Sequence, residues 1–364
     1  IVSNSSLYKI IHFGVTQVFP NRSTYTAILI LDKQKREDFY FKRVKRIAAE
    51  FIDGSLQYDE YKNENFTDLP WIFISKESEV IFNKIRDVET IPLKDIAEIT
   101  VGLQTSSDKV YIFVPEEETD TTFKFRKGGT VYEVEKEICK PCLYDLSFEL
   151  FDTVVPNAQL IFPYNIAEDK AEILSEKHFA DHFPLAWAYL NVYREPLSKR
   201  SINGSKEPKW FQFGRSQSLT KFHETRKLIW PVLSTKPSYV YDNNNLQFTG
   251  GGNGPYYSLI SNTEYSPLFI LGILSHPIFE AIVKAGASEF RGDYYSHGKQ
   301  FLENLLIKQI DFKVDEQAKS HDAIVHTVQQ LIETKQEYRQ IYLGSKKEVL
   351  ERKMKHLNEV LIGQ

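Results

Sequence analysis

A segment that mixes cationic, amide and aromatic side chains has the clearest potential for chemistry in this sequence. Residues 209–219 read Lys-Trp-Phe-Gln-Phe-Gly-Arg-Ser-Gln-Ser-Leu, and a second basic run begins at Arg226. Between Arg194 and Lys236 there are ten lysines and arginines but only three glutamates, a local charge of +7 in a chain whose net charge is -4. The pattern suits a polyanion bound along a groove, with cations on phosphates and amide or guanidinium groups on base edges. A solvated basic face on an ordinary domain would look the same, so the pattern alone leaves both interpretations open.

Two shorter motifs favour structural roles. Cys139 and Cys142 have the C-x-x-C spacing of zinc and thiol-redox sites, but no second Cys or Cys/His pair follows at ligand spacing. We therefore predict small buried residues at a turn. The glycine-rich run at 249–254 would have to open a helix to bind a nucleotide, whereas the residues that follow it, 255–260, read as a strand. A glycine-rich hairpin turn is the better interpretation.

Neither a hydrolytic triad nor a nuclease site is supported. The chain has no G-x-S-x-G, and the E-x-K fragment at Glu333–Lys335 lies on a predicted helix without a partnering acid. Phe19 is a sharper case, because it lies in a turn between two predicted strands. It is either a core residue or a stacking platform for a base, and the residues alone favour the core.

Length and composition limit the class of protein. At 364 residues, with 42% hydrophobic and 13% aromatic residues, the chain is long enough for two or three domains. No apolar run reaches the ~18 residues of a membrane span, and the opening residues lack the pattern of a signal peptide. Two cysteines favour a reducing compartment, so we predict a cytoplasmic protein without a membrane partner. Because the chain starts at Ile1 and has one methionine, Met354, we expect a piece of a longer protein.

The hydrophobic pattern predicts three regions. In residues 1–90 we expect strands at 10–13 and 24–31, the second buried on both faces as at the end of an α/β domain, and then a bridge with a helix at 75–86. Residues 91–312 read as a mixed α+β domain, and residues 313–364 as two amphipathic helices. The fold class is therefore α+β. Within the middle region, strands are predicted at 96–101, 110–114, 159–162, 227–232 and 239–241, and helices at 167–175, 186–192 and 267–283.

An ordered series of short runs resembles the C-terminal part of the γ-class, TaqI-type DNA N6-adenine methyltransferases, a module also present in fused type II restriction-modification enzymes. No single run is specific, but the series covers nearly the whole chain. Its members are Ile10–Gly14, Val18–Pro20, Tyr25–Leu31, Pro92–Ile99, Gly102–Thr105, Lys140–Pro141, Ile161–Tyr164, Tyr189–Leu190, Leu197–Arg200, Trp210, Arg215–Gln217, Lys227–Ile229, Gly272–Ser275 and Phe290–Gly292.

The resemblance implies DNA recognition without methyl transfer. Family members bind S-adenosylmethionine over a glycine-containing loop and hold the target amine with an (Asn/Asp/Ser)-Pro-Pro-(Tyr/Phe) tetrapeptide, but no Pro-Pro occurs here. By the family's layout both elements precede Ile1. We therefore expect no catalytic residues and no cofactor in this chain, which should be inactive alone. The full-length parent would use S-adenosylmethionine, with Mg²⁺ only if a nuclease domain is attached.

The resemblance also assigns roles to individual residues. Phe19-Pro20 matches the position of the aromatic that stacks on the flipped adenine, so base stacking becomes the favoured role of Phe19. In the target recognition domain, phosphate candidates are Lys199, Arg200, Lys221 and Lys227, while Arg215 and Gln217 suit guanine and adenine edges respectively. Further DNA-binding candidates are Gln104, Thr105, Ser106, Trp210, Ser216, Ser234, Lys236, Arg291 and Tyr294; Trp210 is at a position more often core than contact.

We interpret the chain as the sequence-selecting part of a restriction-modification adenine-N6 methyltransferase. Its partners would be double-stranded DNA, the rest of the parent enzyme and, through the terminal helices, another copy or subunit. One alternative is a DNA specificity subunit-like protein that recruits separate modification subunits, which the strands in residues 1–35 disfavour. The other is an interaction module whose aromatic-basic groove binds a different polyanion or a protein.

Overall fold

The computed structural model describes residues 5–22, 24–44, 56–66, 71, 73, 89–168, 170–203, 207–222, 226–250, 255–341 and 345–364. The helix expected at 75–86 lies outside the described residues. The chain divides into two compact units. Unit 1 comprises residues 1–82 and 281–296, and unit 2 comprises residues 83–280 and 297–364.

A four-stranded sheet forms the centre of unit 1. In the order β2-β1-β3-β4, its strands are β2 (Ala27–Leu31), β1 (Leu7–His12), β3 (Asp38–Arg43) and β4 (Asp59–Lys62). Strands β1 and β3 run parallel, and the other two neighbouring pairs run antiparallel. One face of β3 is buried among aromatic rings, with Phe41 stacked on Phe73 at 3.8 Å between ring centroids. This aromatic packing gives unit 1 its own core.

The two early strands are where the sequence predicts them, but the expected burial of the second one is wrong. All five side chains of β2 are exposed, with 38% to 48% of the surface of Ile28, Leu29, Ile30 and Leu31 accessible. β2 is the edge strand, paired with β1 among the described residues of unit 1, and its side chains are exposed on both faces because no further layer covers them there. In this protein, the unbroken aliphatic run therefore belongs to a strand with both faces exposed, and not to a strand buried on both faces.

Small antiparallel sheets make up the β structure of unit 2. The largest has the order β17-β15-β18-β6, a second β11-β12-β7, a third β10-β9-β8, and two are simple pairs, β13-β14 and β21-β5. The strands are β5 (Thr90–Pro92), β6 (Ala97–Val101), β7 (Ile112–Phe113), β8 (Glu117–Glu118), β9 (Thr122–Lys127), β10 (Thr130–Glu135), β11 (Cys139–Cys142), β12 (Ala158–Ile161), β13 (Tyr164–Ala167), β14 (Lys170–Ile173), β15 (Lys227–Pro231), β16 (Leu233–Ser234), β17 (Val240–Asp242), β18 (Tyr256–Ser261) and β21 (Leu306–Lys308).

Helices connect these sheets, and a last hairpin belongs to unit 1. That hairpin is formed by β19 (Glu289–Phe290) and β20 (Tyr294–Ser296). The helices among the described residues are α1 (Asp108–Tyr111), α2 (Glu176–His182), α3 (Pro184–Val192), α4 (Arg194–Ser198), α5 (Pro267–Ser275), α6 (Pro277–Gly286), α7 (Lys299–Leu302), α8 (Asp315–Gln340) and α9 (Ser345–Gly363). No single described helix is long and apolar enough to cross a membrane. Taken together, α5 and α6 have the length and composition of a membrane-spanning segment, but they are bent by 70° where they meet.

Strongly patterned elements of unit 2 are confirmed, and locally ambiguous ones are not. Strands β6, β12, β15 and β17 and helices α3, α8 and α9 lie where the sequence predicts them. The helix expected at 167–175 is wrong, because the segment turns at Glu168, whose φ is +47°, and pairs as the hairpin β13-β14. The helix expected at 267–283 breaks at His276, since Pro277 disfavours helical backbone at the residue before it. At 110–114 the predicted strand is shortened to β7 by the helical turn α1, and Cys139 and Cys142 lie in strand β11 rather than at a turn.

The C-terminal helices pack on α5 through a glycine. A Cβ at Gly272 would lie 2.6 Å from Cγ2 of Ile324 and 3.1 Å from Cγ2 of Val328 on α8, and 3.3 Å from Cδ1 of Leu361 on α9. Only a residue without a side chain allows the three helices this approach. The apolar faces of both C-terminal helices therefore contact α5 within unit 2.

Replacing this glycine should destabilise the protein. We expect Gly272→Ala to lower the free energy of unfolding by about 1–3 kcal/mol, as overpacking does. Gly363→Ala on α9 is the matched control, because a Cβ there meets nothing within 4 Å and should change stability by less than about 1 kcal/mol. Urea denaturation measures both, and equal effects of the two substitutions would contradict this packing.

A charge cluster fixes α8 to the loop that precedes β12. Glu149 accepts a hydrogen bond from Nζ of Lys236 at 2.8 Å and from Nζ of Lys335 at 3.4 Å, while Asp152 binds Nη2 of Arg339 at 2.8 Å. The hydrogen bond from Lys236, with the charge of Lys335, lowers the pKa of Glu149 to about 2. A carboxylate whose pKa is lower in the folded state stabilises the fold above its unfolded pKa, and this contribution is lost as the pH falls.

The pH dependence of stability should report on this cluster. We expect Glu149→Gln to lower the free energy of unfolding at neutral pH by about 1 kcal/mol or less, since the pair is partly screened by solvent. The difference from the unsubstituted protein should shrink as the pH falls from 4.5 towards about 2. Denaturation across this range measures it, with Glu348→Gln on α9 as an exposed control. A difference that stays constant with pH would count against this cluster.

Candidate nucleic-acid interface

The basic segment of unit 2 lies beside a second loop to which its backbone is bonded. The N–H of Gly214 donates to the carbonyl of Thr105, and the N–H of Arg215 donates to the carbonyl of Gln104, each at 3.2 Å. A Cβ on Gly214 would lie 2.0 Å from Oγ of Ser106, so only glycine permits this approach. Residues 102–107 and 210–217 therefore form one surface, which we call the paired loops.

One guanidinium group holds the paired loops together. Arg200 donates from Nη2 to the carbonyls of Trp210 at 3.0 Å and Gln212 at 2.8 Å, and from Nη1 to the carbonyl of Thr105. Its Nε donates to the carbonyl of Leu197 at 3.0 Å, and Nη2 also reaches the hydroxyl of Tyr111 at 3.2 Å. Arg200 thus supplies donors for the carbonyls of Trp210 and Gln212 and joins them to the carbonyl of Thr105, which also accepts from the N–H of Gly214.

A carboxylate performs the corresponding task for the donors of the first loop. Asp108 accepts from Oγ1 of Thr105 and, at 2.7 Å, from Oγ1 of Thr249. Oγ1 of Thr105 in turn accepts from the N–H of Ser107 at 2.9 Å. The side chain of Thr105 is fully buried by these contacts, whereas Ser106 is exposed with a φ of +55°. Ser106 is therefore presented at the tip of a tightly bonded turn.

The aromatic residues of the basic segment form part of the core. Phe211 and Phe213 are fully buried, and Trp210 packs against Trp187 at 5.4 Å between ring centroids. The hydroxyl of Tyr111 donates to the carbonyl of Phe211 at 2.9 Å, and burial raises the pKa of Tyr111 to about 12, which keeps this donor protonated. The aromatic side chains thus anchor the segment together with the buried Gln212, and Arg215 and Ser216 are left exposed.

Of the predicted DNA-binding residues in unit 2, several are at the surface. Arg215 and Ser216 are exposed, and Gln104 and Gln217 are half-buried. Three predicted cations are engaged by carboxylates at the surface, where such pairs are weak and exchange readily. These pairs are Lys199–Glu195 at 2.6 Å, Lys221–Glu98 at 2.6 Å and Lys236–Glu149 at 2.8 Å.

Other predicted contacts are corrected by their burial. Lys227 is fully buried and pairs with Asp242 at 2.6 Å, and burial lowers its pKa although the Asp242 carboxylate opposes the shift. Ser234 is buried with its Oγ 3.1 Å from Nδ1 of His297. Thr105 and Arg200 are committed to the bonds of the paired loops. Together with Trp210, these side chains are structural in unit 2, because none of them is free to reach a phosphate or a base.

Three predicted residues belong to unit 1. The ring of Phe19 is 54% exposed, so the core role that the residues alone favoured is wrong. Its loop connects β1 with β2, and Arg291 and Tyr294 lie in the β19-β20 hairpin, where both are exposed. Unit 1 thus contains an exposed aromatic residue at the position that the resemblance assigns to base stacking.

Thiol and metal chemistry find little support in the described residues. Cys139 and Cys142 are buried free thiols, and burial strongly raises the pKa of both, which makes them poor nucleophiles. The described residues hold no group of three or more side chains suited to a metal ion. His178 and His182 lie four residues apart on α2, and their rings are stacked with centroids 4.0 Å apart.

Comparisons with known proteins identify relatives of one kind. No protein-family profile matches the chain. The chain is 27% identical over 337 residues to the type II restriction enzyme and methyltransferase RM.Eco57I of Escherichia coli, covering 88% of this chain and 34% of that protein. It is 20% identical over 373 residues to the type II methyltransferase M.BstVI of Geobacillus stearothermophilus, covering 92% of this chain and 61% of that protein.

The fold has a related solved structure. The type IIL restriction-modification enzyme MmeI, determined in complex with DNA, aligns with a TM-score of 0.53 and 11% identity over 98% of this chain and 42% of that one. The resemblance to type II restriction-modification methyltransferases is thereby confirmed. The chain spans about a third of the first curated relative and 61% of the second.

Arg200, which bonds the paired loops together, and Arg215, which they expose, should respond differently to truncation to alanine. We expect Arg200→Ala to lower the free energy of unfolding by about 3 kcal/mol, because it removes the donors of the Trp210 and Gln212 carbonyls and the bond that joins them to Thr105. Arg215→Ala removes the same charge from an exposed position and should change stability by less than about 0.5 kcal/mol. Urea denaturation compares the two variants, and a small effect of Arg200→Ala would show that the paired loops do not depend on it.

Proposed function

We propose, from the similarity of this chain to type II restriction-modification methyltransferases, that it is the DNA-recognition region of an adenine-N6 methyltransferase of that kind. Unit 2 would be the target recognition domain, and residues 1–90 would contain the last strands of the methyl-transfer domain and a bridge. The observation that carries the proposal is the pair of bonded loops, because it exposes Arg215, Ser106 and Ser216 on a rigid support. Rigid presentation of a few polar side chains is what reading base edges requires.

The exposed groups of the paired loops suit the edges of base pairs. Arg215 has a guanidinium that can bind guanine O6 and N7 together, and the carboxamide of Gln104 suits adenine in the same way, whereas Nε2 of Gln217 is buried and does not face a ligand. No carboxylate of the described residues forms an ion pair with Arg215, so its donors are available to a ligand. The N–H of Arg215 is bonded to Gln104, which holds these two side chains at adjacent positions.

Unit 1 would supply the surface on which the target base stacks. Extruding a base costs a few kcal/mol, and stacking on an aromatic face recovers part of that cost. Phe19 is the exposed aromatic at the position implied by the family. The aliphatic side chains of edge strand β2 also support the assignment, because an exposed apolar strand is expected to be covered by further chain.

Methyl transfer itself would require other parts of the parent enzyme. The chain has no Pro-Pro sequence, and we assign none of its residues to the methyl donor. S-adenosylmethionine would bind elsewhere in the parent, with Mg²⁺ needed only by an attached nuclease domain. The role proposed for this chain is to select the duplex sequence and to receive the extruded adenine.

Selection from a pool of random duplexes should reveal a preferred sequence. Against that sequence we expect Arg215→Ala to cost about 1–3 kcal/mol of binding free energy and to relax selection at one position. Binding to unrelated duplex should change much less, because phosphate contacts carry non-specific affinity. Titrations at several salt concentrations measure both affinities.

The control removes a charge from a different element. Lys319→Ala on α8 takes away one exposed cation and should leave sequence preference unchanged. If no duplex is preferred and binding is equally tight to a polyanion such as heparin, the chain is a general polyanion-binding module and the proposal fails.

A further inference from the structure

We infer that Arg291 is a positioning residue that holds, through Gln17, the loop presenting Phe19 to an extruded base. The inference rests on the proposed function of unit 1, and it names a residue that this function would need in addition to the stacking ring. All of the residues involved lie in unit 1.

The amide of Gln17 connects the two residues. Its Oε1 accepts a hydrogen bond from Nη2 of Arg291 at 2.9 Å, and its Nε2 donates to the carbonyl of Phe19 at 3.0 Å. An amide has one accepting and one donating end, so the guanidinium, which only donates, fixes which end faces Phe19. The backbone of Phe19 is thereby bonded to a side chain more than 270 residues away in sequence.

The hairpin that carries Arg291 is itself well defined. Glu289 pairs with Tyr295 and Phe290 with Tyr294, so Arg291 opens the three-residue connection. Gly292 and Asp293 in that connection have φ values of +82° and +61°. A turn that requires left-handed backbone at two positions has few alternative conformations, which restricts where the Arg291 side chain can point.

The same hairpin contacts the Phe19 loop at both of its ends. At the end nearer β2, Phe290 packs edge-to-face on Tyr25 at 6.1 Å between ring centroids. At the end nearer β1, Oε2 of Glu289 lies 3.3 Å from the position of a Cβ on Gly14 and pairs with Nη1 of Arg43 at 3.5 Å. The bond from Arg291 to Gln17 lies between these two contacts along the loop.

Two bonds reach the carbonyl of Phe19 among the described residues of the loop. The N–H of Arg22 donates to it at 3.4 Å, and Nε2 of Gln17 donates to it at 3.0 Å. The shorter bond comes from the side chain that Arg291 orients, so the position of the Phe19 backbone depends on that side chain. Holding the loop in one conformation before binding removes an entropy cost from the complex, and this is the contribution we assign to Arg291 and Gln17.

The test isolates stacking from phosphate contacts by comparing two ligands. One duplex has the preferred sequence with an adenine opposite an abasic site, so that the base is free to leave the helix. The other has the abasic site in place of that adenine, and each adenine of the preferred sequence is tried in turn. The ratio of their dissociation constants reports the contribution of the base, because any loss of general affinity cancels. Stacking on one aromatic ring predicts a ratio of about 10 or more.

Four single variants and one double variant separate positioning from other roles. Phe19→Ala should reduce the ratio to about 1, since the stacking surface is gone. Arg291→Ala and Gln17→Met should each bring the ratio of dissociation constants close to 1. The double variant should have the same ratio as either single variant, because both residues act through one bond. Arg291→Lys should recover part of the ratio, because an ammonium can still donate to Gln17.

A matched control and a folding check complete the design. Arg22→Ala removes a cation from the same loop without touching the Arg291–Gln17 bond and should keep the ratio. Thermal unfolding should be nearly unchanged in Gln17→Met, since one exposed hydrogen-bonded pair contributes little to stability. If Phe19→Ala abolishes the ratio but Arg291→Ala and Gln17→Met retain it, the inference is wrong and the stacking role stands. If no adenine gives a ratio above 1 in the unsubstituted protein, the stacking role itself fails and the inference falls with it.

Discussion

The surface proposed for DNA depends on the guanidinium of Arg200. Two loops from distant parts of the chain turn their carbonyls inward at this point, and a buried carbonyl without a donor is costly. A planar group with five donors can serve several of these oxygens at once, which a lysine could not do with the same geometry. Because Arg200 satisfies the inner side of the paired loops, their outer side is free to expose Arg215 and Ser106. A residue predicted to bind phosphate thus contributes to the site by building it.

The aromatic residues of the basic segment also support its exposed side chains from the inside. A loop that crosses the surface has little secondary structure to hold it, so it must be anchored by side chains. Phe211 and Phe213 are buried in the core with Gln212 between them, whereas Arg215 and Ser216, which follow them, are exposed. The sequence correctly indicates that residues 209–219 form a distinct segment, because they combine cationic, amide and aromatic side chains. It cannot show which members face inward, because that depends on Tyr111 and Tyr164, whose hydroxyls bond the backbone of the segment from other elements.

The elements that can be predicted from the sequence are those whose structure depends on residues close to one another in the chain. The sequence places long periodic runs such as α8 and α9 correctly, because their pattern extends over several helical turns. The hairpin β13-β14 was missed because its residues have no strong preference, and Tyr164 joins it to the core by accepting a bond from Phe213. Lys227 was assigned to phosphate because its type and context are basic, yet its partner Asp242 lies in the neighbouring strand, and strand pairing is not visible in spacing. The exposure of β2 likewise depends on which elements cover the sheet.

The ion pairs of the basic segment reduce the positive charge that it can offer to a polyanion, compared with the charge counted from the sequence. Of the ten cations between Arg194 and Lys236, Lys227 is neutralised inside the fold, and Lys221 and Lys236 pair with acids outside the segment. Lys209 donates to the carbonyl of Leu174 at 2.9 Å, and Arg200 is engaged as described. The local excess of positive charge therefore overstates the field available to a polyanion, because Glu98, Glu149 and Asp242 lie outside the segment and offset three of its cations. An interface of this kind draws less of its affinity from phosphates and more from specific contacts than the charge count implies, since only uncommitted cations release counterions on binding. Specificity would then rest on a small number of rigidly held groups, which is the arrangement that the paired loops provide.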